Sequence, residues 1–260
     1  MLTLSHINKT FPDNLSAGKA LDDLSLQVND GDFITIIGGN GAGKSTLFNA
    51  IAGSIETDSG SIVLDGADIT FTPEHTRARS IGRLFQDPMR GTAPNMTVLE
   101  NLTLAAGKGG WLSSLRKADK IAFTNLVAEL DMGLEKRMDQ PVGSLSGGQR
   151  QALTLLMATV NPPKLLLLDE CTAALDPATA DKVLALINRI VSEHHITCLM
   201  ITHDMEMALT MGNRTLMMIE GKIVMDVSGE ERAAMQVSDL LDRFREIRGK
   251  ALANDRILLS

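Results

Sequence analysis

The stretch Gly38-Gly39-Asn40-Gly41-Ala42-Gly43-Lys44-Ser45-Thr46 limits the possible folds of this chain more than any other. It fits the pattern G-x-x-x-x-G-K-[ST] and stands between an apolar run of strand length, Phe33 to Ile37, and a helical pattern reaching about Ala52. Glycines allow positive φ and close backbone approach, so successive N–H groups can converge on phosphate oxygens, helped by the positive end of the following helix. Gly38, Asn40, Gly41, Ala42, Gly43, Lys44, Ser45 and Thr46 are therefore candidate nucleotide contacts. Lys44 is expected to reach the β- and γ-phosphates, and the Ser45 hydroxyl to ligate Mg²⁺.

Apolar runs followed by turn residues and helical spacing recur along most of the sequence. Phe33 to Ile37, Ile81 to Phe85, Leu165 to Leu168 and Thr197 to Thr202 read as buried parallel strands, because both of their faces are apolar. Leu2 to Ile7, Leu24 to Val28 and Ile62 to Leu64 alternate, as expected of a half-exposed antiparallel layer. Between Asp87 and Pro141 helical spacing takes over, at Val98 to Ala106 and Ile121 to Leu130, around the glycine-rich break Gly107 to Gly110. Arg214 to Ile219 and Lys222 to Val227 are joined by the hairpin signal Glu220-Gly221. After it, Leu240, Leu241, Phe244 and Ile247 predict a short amphipathic tail that Ser238 or Asp239 can cap.

A chain of 260 residues has room for one large domain with a sizeable core. A net charge of -7 without a long Lys/Arg block argues against a dedicated nucleic-acid binder. No run approaches the roughly 18 apolar residues of a membrane span, and the first residues lack a secretory layout, so a cytosolic chain is expected. The two cysteines, Cys171 and Cys198, are too few for a disulfide framework and are expected to stay reduced.

The run Leu165-Leu166-Leu167-Leu168 ends in Asp169-Glu170, which places two carboxylates at the carboxyl edge of a sheet, where open α/β folds bind ligands. Adjacent strand residues point opposite ways, so Asp169 is assigned to Mg²⁺ and Glu170 to the attacking water as general base. His203, after the next strand, stands at the same edge, within reach of the γ-phosphate or that water.

Leu145-Ser146-Gly147-Gly148-Gln149-Arg150-Gln151, ahead of an Ala/Leu-rich helix, resembles the signature of ATP-binding-cassette domains. Ser146 would open a helix whose amides, with the two glycines, form a second anion site without a lysine. The resemblance covers nearly the whole chain. It implies a P-loop NTPase (RecA-like) α/β core with a flanking antiparallel β layer, over 1–86 and 142–228, an inserted α-helical subdomain over 87–141, and a helical tail over 229–260.

By the same resemblance, two copies face head to tail as an ATP-bound homodimer, and Ser146, Gly147, Gly148 and Gln149 of one chain close over ATP held by the other. Gln86, in Phe85-Gln86-Asp87-Pro88, is similar to the family's glutamine, which contacts Mg²⁺ or water and leads into the segment that touches membrane subunits. Ala174-Leu175-Asp176 resembles the loop that crosses the dimer, His203 the switch histidine, and Phe11 stands where an aromatic residue stacks on adenine. Cys171 departs from the usual Glu-Pro-Thr. It is either a small buried substitute or a redox-sensitive edge of the site.

Finer likeness, at Gly82 to Thr97 and Ala253 to Ser260, is to bacterial importer ATPases described as tryptophan/tyrosine-type. The expected role is ATP hydrolysis that powers solute import, an amino acid being one candidate, from the cytoplasmic face of the membrane. Expected partners are permease subunits and an extracytoplasmic solute-binding protein. An efflux or lipoprotein-release system, or a cassette outside transport, is the alternative.

Overall fold

Strands and helices alternate in the computed structural model, which describes residues 1–11, 19–107 and 117–258. In chain order they are β1 (Leu2–Lys9), β2 (Leu21–Val28), β3 (Phe33–Ile37), α1 (Lys44–Ala52), β4 (Ser59–Leu64), β5 (Ala67–Asp68), α2 (Glu74–Arg77) and β6 (Ile81–Leu84). Then come α3 (Val98–Ala105), α4 (Lys117–Ala128), α5 (Gly147–Thr159), β7 (Leu165–Asp169), α6 (Pro177–His194), β8 (Thr197–Ile201) and α7 (Met205–Thr210). The chain closes with β9 (Arg214–Ile219), β10 (Lys222–Ser228), α8 (Gly229–Ala234) and α9 (Val237–Leu258). Most of the glycine-rich break after Gly107 lies outside the described residues. Among those residues no helix is long and apolar enough to cross a membrane.

The chain divides into two compact units, Met1–Pro73 with Leu199–Ser260, and Glu74–Cys198, and the division falls inside β8. The first unit holds an antiparallel sheet in the order β2-β1-β4-β5. Alternation decides its faces: Leu2, Leu4 and Ile7 of β1 and Leu21, Leu24, Leu26 and Val28 of β2 are all buried. The pairing is irregular around His6 and Asp23, both at positive φ, whose side chains meet at 2.8 Å.

The same unit carries β10-β9-β3, with β3 parallel to β9 and β9 antiparallel to β10. Glu220 and Gly221 both take positive φ, as a two-residue hairpin turn with right-handed flanking strands requires. β3 is buried throughout, and its one polar side chain, Thr35, bonds Ala208 O at 2.7 Å and the Thr215 hydroxyl at 2.9 Å. Next to it, Ile37, Ala208, Met217, Met225, Val227 and Leu240 form a core cluster. Each of the larger side chains among them contributes about 1.5–3 kcal/mol by leaving water.

The expected short tail is instead α8 followed by the longer α9. Asp239 lies inside α9 and accepts from Gln236 N at 2.8 Å, so it reaches back to the helix start and is not the cap residue itself.

In the second unit β6 runs parallel to β7, Ile81 opposite Leu165 and Leu84 opposite Leu168. Gly82 permits this arrangement, because a Cβ there would lie 2.9 Å from Ala158 O and 3.0 Å from Pro163. α6 begins with Asp176 as N-cap and Pro177 in its first turn, and buries Val183, Leu186, Ile187, Ile190 and Val191 at helical spacing. α3 begins with a capping box between Thr97 and Glu100.

Candidate nucleotide-binding site

The phosphate loop leaves the buried end of β3 at Gly38, where φ is 154° and a Cβ would fall 2.3 Å from Met218 O. It enters α1 at Gly43, with φ 97°, where a Cβ would fall 2.3 Å from Ala20 O. Only glycine fits either place. Within the loop Ala42 N donates to Gly39 O at 3.2 Å, and from the hairpin turn Gly221 N donates to Ala42 O at 3.0 Å.

α1 starts without a side-chain cap and without an acidic residue in its first turn, and Leu47 N is the donor that closes on Gly43 O, at 2.8 Å. The amides ahead of Leu47 thus open toward the loop, where the helix dipole favours an anion. Lys44 is 6% exposed, and its ammonium donates to Gly38 O at 2.7 Å and Gly39 O at 3.1 Å. A cation folded over a glycine cradle suits the phosphates of a nucleotide. Asn40, Gly41 and Ser45 are exposed and Thr46 is half-buried, so the Ser45 hydroxyl is accessible beside the cradle. A hydroxyl there, completed by phosphate oxygens and water, suits Mg²⁺, which keeps much of its hydration.

Two other residues read from sequence belong to this unit. Phe11 follows β1, with Lys9 Nζ 5.6 Å from its ring centroid. Ala20 N donates to Lys9 O at 2.8 Å, and Ala20 O lies against Gly43, so the Phe11 end of β1 is tied to the loop's exit. His203 is exposed between β8 and α7. The preceding Thr202 donates from its N–H to Ile36 O at 3.1 Å, two residues before the loop begins. Asp204 caps α7 by accepting from Glu206 N and Met207 N, which fixes the backbone just after the histidine.

The acidic pair lies in the second unit. Asp169 ends β7, its side chain 14% exposed, with the Arg83 guanidinium of β6 at 4.0 Å. Glu170 has left the strand, at φ 47°, and Ala173 N donates to its carbonyl at 3.1 Å. A left-handed turn, not strand alternation, sets its direction, and such a conformation in a non-glycine residue has an energetic cost that sites commonly retain.

Arg83 was missed by sequence reasoning, although a charged residue inside a buried strand is a readable signal. Burial pulls its pKa down, while Asp169 acts in the opposite direction. Its guanidinium also lies 4.6 Å from the Phe85 ring, next to the exposed Gln86. Asp87 then caps a short 3-10 turn, Pro88–Gly91.

Cys171 is 3% exposed, and burial, with the charge of Asp169 as a smaller cause, pushes its thiol up to about 12. Cys198 is also buried and its thiol is pushed up. Of the two readings of Cys171, these observations favour the small buried substitute, because the reactive form of cysteine is the thiolate.

The signature and the crossing loop meet within this second unit. Ser146 is the N-cap of α5 in a capping box: its hydroxyl accepts from Gln149 N at 3.3 Å, and Gln149 Oε1 accepts from Ser146 N at 3.2 Å. The expected second anion site is therefore already part-satisfied by its own side chains. The spacing S-x-x-Q carries that signal, and it was not used. Gly148 sits so close to α6 that a Cβ would fall 2.0 Å from Thr179 Cγ2, whereas one on Gly147 would meet Leu175 at 3.7 Å. Asp176, whose side chain accepts from Thr179 N at 3.1 Å, is thereby brought beside α5, and that hydrogen bonding lowers its pKa.

Comparison with known proteins agrees with this chemistry. The family model described as "ABC transporter" matches residues 21–173. The tyrosine transport ATP-binding protein of Clostridioides difficile (strain R20291) is 44% identical over 248 residues, 94% of this chain and 98% of that protein. The spermidine/putrescine import ATP-binding protein PotA of Haemophilus influenzae is 36% identical over 231 residues, and there the alignment spans 89% of this chain and 59% of the longer relative. Among solved structures, the dimeric post-hydrolysis state of the ATP-binding cassette MJ0796 with ADP and Pi superposes with a TM-score of 0.74 at 27% identity, covering 88% of this chain and 98% of that one. With a glycine cradle and a folded-over lysine on a P-loop NTPase fold, the chain belongs to the ABC transporter family and is an ATP-binding, ATP-hydrolysing subunit that uses Mg²⁺.

Proposed function

We propose that this subunit powers the import of a small solute, an aromatic amino acid such as tyrosine first among the candidates, through separate permease subunits. The observation that carries this reading is the 44% identity running over 98% of a tyrosine transport ATP-binding protein. The subunit would sit on the cytoplasmic face of the membrane, with stretch 87–141 as a helical subdomain turned toward the permease and an extracytoplasmic binding protein delivering the solute.

Two copies close head to tail on ATP, a reading supported by the dimeric form of the MJ0796 cassette. Within each site the loop amides and Lys44 hold the β- and γ-phosphates, and Phe11 stacks on adenine. Ser45, Asp169 and Gln86 hold Mg²⁺, which when bound neutralises charge on the β- and γ-oxygens. Glu170 takes the proton of the attacking water, and His203 hydrogen-bonds that water or the γ-phosphate. From the facing copy, Ser146, Gly147, Gly148, Gln149 and Asp176 close the far side.

The test is reconstitution in lipid vesicles with the membrane subunits that co-purify with the chain. ATP-driven accumulation of labelled tyrosine, reduced by unlabelled tryptophan but not by spermidine, is expected. Accumulation of spermidine alone would contradict the solute class, and the absence of any co-purifying membrane protein would contradict the transport role.

A further inference from the structure

Three pieces of the first unit wall the outer side of the phosphate loop. Two come from the β9–β10 hairpin: Met218 O against Gly38, and Gly221 N donating to Ala42 O. The third is the ring of Phe244 on α9, which faces Gly39: its Cζ lies 3.8 Å from the place a Cβ on Gly39 would take, and among the described residues no other heavy atom outside the glycine and its chain neighbours comes within 4 Å of that place. Gly39 is the hinge of the loop's internal bonding, because its carbonyl accepts from both Ala42 N and Lys44 Nζ.

α9 is well placed to hold the ring there. Leu240 is fully buried, and Phe244 and Ile247 pack with it against the cluster of Ile37, Ala208 and Met217, on one face at helical spacing. The helix is secured at its start by the Gln236–Asp239 bond and, through Arg243, by a 2.9 Å ion pair to Glu231 of α8. It also packs on α7, which begins directly behind His203.

We infer that Phe244 is a positioning residue for the phosphate loop. Its ring backs Gly39, so the carbonyl that anchors Lys44 and Ala42 is already in place before the nucleotide arrives. Without the ring Gly39 relaxes outward and the loop must be ordered during binding, which weakens affinity more than it slows the chemical step. The inference rests on the reading that this loop holds ATP.

The experiment uses the purified full-length chain, a fluorescent ADP analogue, steady-state kinetics and thermal melting. Phe244→Ala should weaken analogue binding about tenfold and raise KM for ATP in step, with kcat changed about twofold or less. Phe244→Leu, which restores part of the apolar contact, should fall between. Val227→Ala, in the same cluster but away from Gly39, should lower Tm without weakening binding. If Phe244→Ala only lowers Tm and binds the analogue like wild type, the inference is overturned. Should that variant fail to fold, wild-type affinity in Phe244→Leu overturns it equally. Failure of the wild-type chain to bind the analogue would instead overturn the nucleotide reading beneath it.

Discussion

Two helices of this chain start at glycine-containing segments proposed to meet phosphate, and they start in opposite ways. α1 follows Gly43 with no side-chain cap, and a buried lysine lies over the loop. α5 follows Ser146 and is closed by its own capping box. The first has no side-chain cap and favours an anion at its end, while the second is already part-satisfied by its own side chains. In the proposed head-to-tail dimer the contrast becomes a division of labour: the α1 end binds nucleotide by itself, and the α5 end would keep its shape until a second copy brings a γ-phosphate to it.

The largest expected effect removes the proposed general base. Glu170→Gln should lower ATP turnover by about a hundredfold or more, with an ATP-dependent dimer appearing in sedimentation. Turnover near wild type would remove Glu170 from the chemistry and leave the two helix starts without a common reaction.

Next is the glycine contrast itself. Gly43→Ala must place a Cβ 2.3 Å from Ala20 O at φ 97°, whereas Gly147→Ala meets only Leu175 at 3.7 Å. The first should cost about 3 kcal/mol or more, lowering Tm by several degrees and abolishing nucleotide binding. The second should melt within a degree or two of wild type. Similar melting of the two variants would break the contrast.

A smaller change sharpens it. Ser146→Asp keeps a good N-cap residue but turns a negative charge toward an incoming phosphate. Nucleotide binding by the dilute chain should stay within about twofold, while turnover falls about tenfold through lost closure. Equal loss of binding and turnover would mean that α5 serves its own chain's nucleotide.

The smallest effect concerns Cys171. Its thiol is raised from the ordinary 9.0 to about 12, so it stays protonated across the physiological range and should resist alkylation at pH 8 in the folded chain. Because the folded value is the higher one, the buried thiol contributes stability that is full below pH 9.0 and is lost as pH climbs toward about 12. Rapid labelling of the native protein would reopen the redox reading.

Periodicity and glycine chemistry made the frame legible. Phe33 to Ile37 is β3 as expected, the strands ending near Leu84, Leu168 and Ile201 fall within a residue or so of their sequence limits, and Glu220-Gly221 makes its hairpin. These elements depend on local sequence: an apolar run with both faces buried, then a residue type that only one backbone shape accepts. What escaped depends on partners distant in sequence or on local reversals. Arg83 beside Asp169 and Gly148 beside Thr179 are contacts between elements that no spacing rule reports. The left-handed turn at Glu170 takes that residue off the strand, so alternation does not govern it. Apolar spacing alone marked only the first part of α9, Leu240 to Ile247.

Whether the two helix starts act on one nucleotide from different copies can be asked by mixing two impaired chains, Lys44→Ala and Ser146→Asp. In a head-to-tail dimer the mixed pair concentrates both defects in one site and leaves the other intact, so about a quarter of the wild-type sites should return and hydrolysis should rise above the sum of the separate chains on mixing. If each chain instead serves its own ATP, every site in the mixture carries one defect, and activity no greater than the sum of the separate chains would contradict the account.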